Sequence, residues 1–256
     1  MELNNLQIKH SIGNGDQNFI LIHNAGGSHL MFKHQISLLL KYGDVYQFDL
    51  PGHGYNREVP LASDLMSCAN LVAKMASEYK LKKTCLIGLN NGADIALQAQ
   101  ANSPTLFNRV ILIDPPIMLT HEFIHEIKSF IVQLDNVESY SDFVNQMISS
   151  LLPHSDDETI EMVRESFLSV NKNALKIIFS SLITWDKGSK ELLAGLDVPT
   201  LCILTDEHHC SYQKLQSVAP QMLLAKTIGS HCWATVDVPD QVNAMISSFL
   251  NMEILK

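Results

Sequence analysis

The chain has 256 residues, 46% hydrophobic and 18% charged, with 27 acidic against 18 basic side chains and a formal charge of −9. That length fits one large α/β domain, or a core domain with an insertion, better than a string of modules. The acidic balance gives no footprint for nucleic acid, no basic patch stands out to hold an anionic membrane, and the apolar runs are strand-sized, too short for a bilayer. The N-terminal Met1-Glu2-Leu3-Asn4-Asn5 lacks the blocks of a signal peptide. Cys68, Cys85, Cys202, Cys210 and Cys232 are odd in number with no C-x-x-C pair. They read as reduced thiols, so the expectation is a cytoplasmic globular protein.

In chain order, apolar runs predict buried strands at 19–22, 45–50, 85–89 and 110–113, and again at 201–204. Helical spacing falls between them at 29–41, 63–79 and 91–102, and near the end at 239–250. Near-continuous apolar strands alternating with helices predict a mostly parallel central sheet with helices on both faces. The rhythm breaks once. From 118 to 187 the patterns are helical only, and strand rhythm resumes at Val198-Pro199-Thr200. The expectation is a core of 1–117 and 188–256, with a helical cap of 118–187 roofing a site at the carboxyl ends of the strands.

The most informative stretch is Ile87-Gly88-Leu89-Asn90-Asn91-Gly92-Ala93-Asp94, between a strand and a helix. Its spacing is that of the G-x-S-x-G nucleophile elbow. His23-Asn24-Ala25-Gly26-Gly27, Asp49-Leu50-Pro51-Gly52-His53-Gly54 and Gly229-Ser230-His231 with Asp237-Val238-Pro239 accompany it in order. With these four segments the chain resembles the α/β-hydrolase superfamily over nearly its whole length. The elbow serine, however, is replaced by Asn90. An uncharged amide cannot form the usual acyl-enzyme, although asparagine tolerates the positive φ of an elbow.

The resemblance implies a site. His231 falls at the position of the general base, and the main-chain N–H groups of Ala25 and Asn91 at the oxyanion hole, with Asn24 as a substrate contact or a stitch within its own loop. The orienting acid has two candidates. Asp114 closes the strand after the elbow helix, where some haloalkane dehalogenases and cofactor-free dioxygenases of this superfamily place it. Asp206 lies two residues before His208, which occupies the usual position. Asp114 is preferred, since the carboxylate must reach the imidazole Nδ1 side.

The implied function is a hydrolase-like or lyase-like small-molecule enzyme using a histidine base and no serine ester. The alternatives are a cofactor-independent dioxygenase and a non-catalytic ligand receptor or scaffold. A preserved His231–acid hydrogen bond with an enclosed pocket favours an enzyme; a filled pocket or a displaced His231 favours a receptor. No cofactor and no metal is implied, and the expected partner is an apolar or aromatic small molecule. His121-Glu122-Phe123-Ile124-His125 satisfies H-E-x-x-H but lacks a third ligand at a family spacing, and reads as an exposed helix. Cys232 reads as core or pocket wall. The aromatic and methionine residues Phe123, Phe130, Phe143, Met147, Met162, Phe167, Phe179 and Trp185 can line a hydrophobic pocket, but read mostly as the core of the cap.

Overall fold

The computed structural model describes residues 5–152, 155–206 and 210–252, with the backbone alone at 149 and 150. The first half runs β1 (Ile8–Ser11), β2 (Gln17–Ile22), a 3-10 turn (His29–Phe32), α1 (Ile36–Leu39), β3 (Gly43–Phe48), a second 3-10 turn (Gly54–Asn56), α2 (Leu65–Glu78), β4 (Thr84–Leu89), α3 (Asn91–Asn102) and β5 (Phe107–Ile113). Four helices follow without a strand: α4 (His121–Asn136), α5 (Tyr140–Leu151), α6 (Asp157–Leu168) and α7 (Lys172–Trp185). The chain closes with α8 (Ser189–Ala194), β6 (Thr200–Leu204), α9 (Tyr212–Val218), β7 (Leu223–Lys226), α10 (Ala234–Asp237) and α11 (Pro239–Leu250).

The strands form one sheet in the order β1-β3-β2-β4-β5-β6-β7. Only β1 runs antiparallel, against β3; the other pairs are parallel. The order reverses between β2 and β4, so the loops leaving their carboxyl ends diverge there and open a crevice. The central strands are buried on both faces, as their unbroken apolar sequences require. Helices α4 to α7 each start at a capping side chain: Thr120, Ser139, Asp156 and Asn171 accept from a main-chain N–H in the first turn. Among the described residues no helix is long and apolar enough to cross a membrane.

Two expectations change. The edge strands β1 and β7 lie outside the expected runs; each is four residues long and partly exposed. The single helix expected over 29–41 is a 3-10 turn followed by the one-turn α1. Tertiary partners override the helical spacing there. The main-chain N–H of His29 is held by Asp49 Oδ1 at 2.6 Å, and buried Gln35 donates to the Thr235 carbonyl at 3.1 Å.

Candidate functional site

The turn from β4 into α3 sets the geometry. Asn90 has φ 49° and ψ −121°, a sharp bend that only close packing sustains. Its N–H donates to the Ile113 carbonyl at 2.7 Å, and its carbonyl accepts from Ala93 N–H at 2.7 Å. The side-chain Nδ2 donates to the Asp114 carbonyl at 3.3 Å. Small residues are obligatory on both sides. A Cβ on Gly88 would lie 2.2 Å from the Gly92 carbonyl oxygen, and one on Gly92 would lie 2.1 Å from that of Ile22.

Two buried histidines shape the facing loop after β2. Leu50 N–H donates to His23 Nε2 at 2.8 Å, so Nδ1 carries the hydrogen and donates to the Asn24 carbonyl at 2.7 Å. His53 Nε2 accepts from Gly26 N–H at 3.3 Å. Burial holds both imidazoles neutral, lowering His23 and bringing His53 down to about 3. Nearby, burial alone would push the Asp49 carboxyl up. The His29 side chain and the N–H groups of His29 and Tyr55 outweigh it and hold Asp49 well below the usual carboxylate range. These contacts tie residues 23–29 to residues 49–55, and Ala25 sits between them.

A cavity of about 330 Å³ opens above Asn90. Asn24, Ala25, Asn90 and Asn91 line it from the strand ends, and Cys232 and Trp233 from the loop before α10. Its apolar roof is Phe123, Ile127 and Phe130 of α4, Met147 and Leu151 of α5, Phe167 of α6 and Phe179 of α7, with Glu126 as the roof's carboxylate. Five of the side chains expected as cap core, Phe123, Phe130, Met147, Phe167 and Phe179, therefore line a cavity. Among the described residues, neither Ala25 N–H nor Asn91 N–H donates a hydrogen bond. Asn91 is 1% exposed, and neither end of its side-chain amide reaches a partner at hydrogen-bond distance. Asn24 donates through Nδ2 to the Ala25 carbonyl at 3.2 Å, stitching its own loop.

His231 is placed differently from its neighbours in sequence. It lines a second cavity of about 240 Å³, with Ser155, Asp156, Thr159, Gly229, Val236 and Asp237. Burial raises the Asp237 carboxyl there, opposed by the Ser155 hydroxyl, which donates to Oδ1 at 2.7 Å, and by the His231 main-chain N–H. The structure thus groups Asn24, Ala25, Asn90 and Asn91 around one cavity, adds Cys232, and sets His231 on the wall of another. Asp114 is buried beside the elbow and accepts from Thr205 Oγ1 at 2.9 Å. Asp206 accepts from Gly229 N–H at 2.6 Å and pairs with Lys226 at 3.4 Å, holding the loop that precedes His231. His208 lies outside the described residues. His121, Glu122 and His125 are exposed on α4, and no trio of His, Cys, Asp or Glu among the described residues is grouped to hold a metal.

Solved structures share this architecture over almost their entire length. A carboxylesterase of the thaumarchaeon Nitrososphaera gargenis superposes with TM-score 0.83 at 19% identity, covering 97% of this chain and 96% of its own. The enol-lactonase of Burkholderia xenovorans LB400 superposes with TM-score 0.81 at 16% identity, covering 97% and 98%. This chain has the α/β-hydrolase fold. No family model matches it. The uncharacterized hydrolase YugF of Bacillus subtilis (strain 168) is 27% identical over 110 residues. That match spans 43% of this chain and 40% of the relative, so the α/β-hydrolase fold extends well beyond the matched sequence.

Proposed function

We propose that the cavity at Asn90 takes up a small, largely apolar molecule bearing a carbonyl oxygen, and that no ester forms at Asn90. The carrying observation is the pair of undonated N–H groups, Ala25 and Asn91, on the wall of an otherwise mainly apolar cavity. Buried donors without partners are costly, and a ligand oxygen between them supplies what they lack, as in an oxyanion hole. In this reading residues 118–187 are a cap over the core of 1–117 and 188–256. The apolar roof supplies affinity, while the amides select for oxygen.

Titration with octan-2-one and with the alkane of equal length tests this reading. The ketone binds about tenfold tighter or better if the amides receive its oxygen. Equal affinity would leave an apolar cavity with no oxygen site. Fluorophosphonate treatment leaves the elbow unlabelled, because Asn90 offers no hydroxyl.

A second reading is hydrolysis with His231 as general base, oriented by Asp114 or Asp206. It draws support from the loop His231 shares with Cys232 and Trp233, and from the carboxylesterase and lactonase among the neighbours. His231→Ala then abolishes any turnover of activated esters while octan-2-one affinity holds. A rate unchanged by His231→Ala removes the histidine from the chemistry.

A further inference from the structure

The cavity at Asn90 has a polarity that a neutral carbonyl compound leaves half used. Its floor carries the undonated N–H groups of Ala25 and Asn91, both on buried residues. Its roof carries Glu126, the one charged side chain among the described residues that line it. Glu126 is exposed, so it stands where the cavity meets solvent. On α4 it shares a face with Phe123 and Phe130, three residues before it and four after, and all three line the cavity. Phe130 meets Phe179, another lining residue, edge to face with ring centroids 5.1 Å apart. Among the described residues, no ion pair or hydrogen bond occupies the Glu126 carboxylate. Lys128, two residues along, lies off that face, whereas Glu122, one turn earlier, adds a like charge to it.

We propose that this cavity selects carbonyl compounds that carry a cationic nitrogen, quaternary or protonated, at the end away from the oxygen. The oxygen lies at the Ala25 and Asn91 amides, and an alkyl spacer crosses the apolar middle. The cation rests at Glu126, against Phe123 and Phe130. A quaternary ammonium suits this mouth, because the faces of aromatic rings attract it electrostatically. The carboxylate adds to that attraction, which exceeds its value in open water because the roof excludes solvent on one side. The same carboxylate repels anions, so fatty acids and other anionic carbonyl compounds are turned away. This inference rests on the carbonyl-binding reading above and assigns the other end of the ligand.

Four probes of matched length separate the two ends. They are (7-oxooctyl)trimethylammonium, its neutral carbon isostere 9,9-dimethyldecan-2-one, its anionic counterpart 8-oxononanoate, and octyltrimethylammonium, which lacks the oxygen. Titrated into the full-length protein at low salt, the keto cation binds about tenfold tighter than the neutral ketone, and 8-oxononanoate binds weakest. The preference narrows as salt is added. Glu126→Gln cuts it to about threefold or less, and Glu126→Lys reverses it in favour of 8-oxononanoate. Glu126 is exposed, so neither variant burdens the fold. Equal affinity of the keto cation and the neutral ketone overturns the cation site and leaves the carbonyl reading standing. A preference that survives Glu126→Lys also overturns it, because the formal charge of −9 then draws the cation without a site. Octyltrimethylammonium binding as tightly as the keto cation removes the oxygen site, and the carbonyl reading falls together with the proposal. If no probe binds, both fall.

Discussion

At position 90 the main chain is held at φ 49°, where most side chains cost about 1–3 kcal/mol and asparagine costs less. Hydrogen bonds to β5 and the close-packed glycines around it enforce this bend, not the side chain. The consequence for chemistry concerns its partner. Position 232 lines the Asn90 cavity and position 231 lines the second cavity. Asn90→Ser alone should therefore change activated-ester hydrolysis by less than about tenfold. Asn90→Ser with Cys232→His should raise it by about 10² or more, the usual contribution of a general base. Stopped-flow release of nitrophenol from short esters measures both, and a large gain from the single variant would return the base to His231. This step of one residue was not legible in the sequence. Motif spacing locates a loop, but not which of its consecutive residues lines a given cavity. The sharp bend at position 90 was legible, because backbone geometry there demands small residues at fixed spacing; the loop at 23–27 was read from the resemblance alone.

Helix α3 concentrates two opposing demands. Its first turn lies so close to β2 that Gly92→Ala must displace the Ile22 carbonyl, an overpacking cost of about 1–3 kcal/mol, and urea unfolding should show it as a lower midpoint with an unchanged slope. One turn on, Asp94 is fully buried with neither carboxyl oxygen bonded. Burial, then the charge of Asp186, raise it well above the ordinary carboxylate range; the Asn91 side chain opposes them, and Asp114 adds a smaller push upward. Between about pH 4 and the folded value the unfolded chain releases this proton and the folded chain keeps it, so stability is lost as pH rises. Asp94→Asn, with nothing to titrate, should be more stable than wild type at pH 7 by about 1–3 kcal/mol, and the gap should shrink toward pH 4. Thermal melts at both pH values check the sign; a gap that grows toward acid would mean Asp94 is ionised in the fold. The elements β2 to β6, α2, α3 and α11 were legible because burial on both faces or along one stripe writes itself into apolar spacing. The strands β1 and β7 were not, since an edge strand needs only main-chain partners.

Across the molecule, loops from the ends of β2 and β3 are locked by histidines that stay neutral. Below about pH 6.5 an unfolded histidine takes a proton, whereas His53 resists to about pH 3. The unfolded state binds more protons in that window, so stability falls as pH drops through it, by at most about 1.4 kcal/mol per pH unit for each such group. His53→Gln keeps an acceptor for Gly26 N–H and titrates nothing. Its urea midpoint should fall less than that of wild type between pH 6.5 and pH 5. Parallel curves for the two proteins would mean that His53 is protonated without unfolding. The arrangement of layers followed from the run of strands and the single helical interruption. What the helices of that interruption enclose did not, because aromatic residues at helical spacing suit a packed core and a cavity lining equally well.

The approach of α3 to β2 also bears on how the protein ages. Asn91-Gly92 is the kind of link that loses ammonia most readily in a loose chain, through attack of the glycine nitrogen on the asparagine side chain. Here that nitrogen belongs to a helix turn pressed against the Ile22 carbonyl, and the side chain is 1% exposed. The attack needs torsions that the folded backbone does not permit. Deamidation at Asn91 should then proceed only from molecules in which the start of α3 has opened, at a rate set by how often that happens. A stored sample accordingly carries its own chemical clock, and the isoaspartate it accumulates counts openings of the elbow.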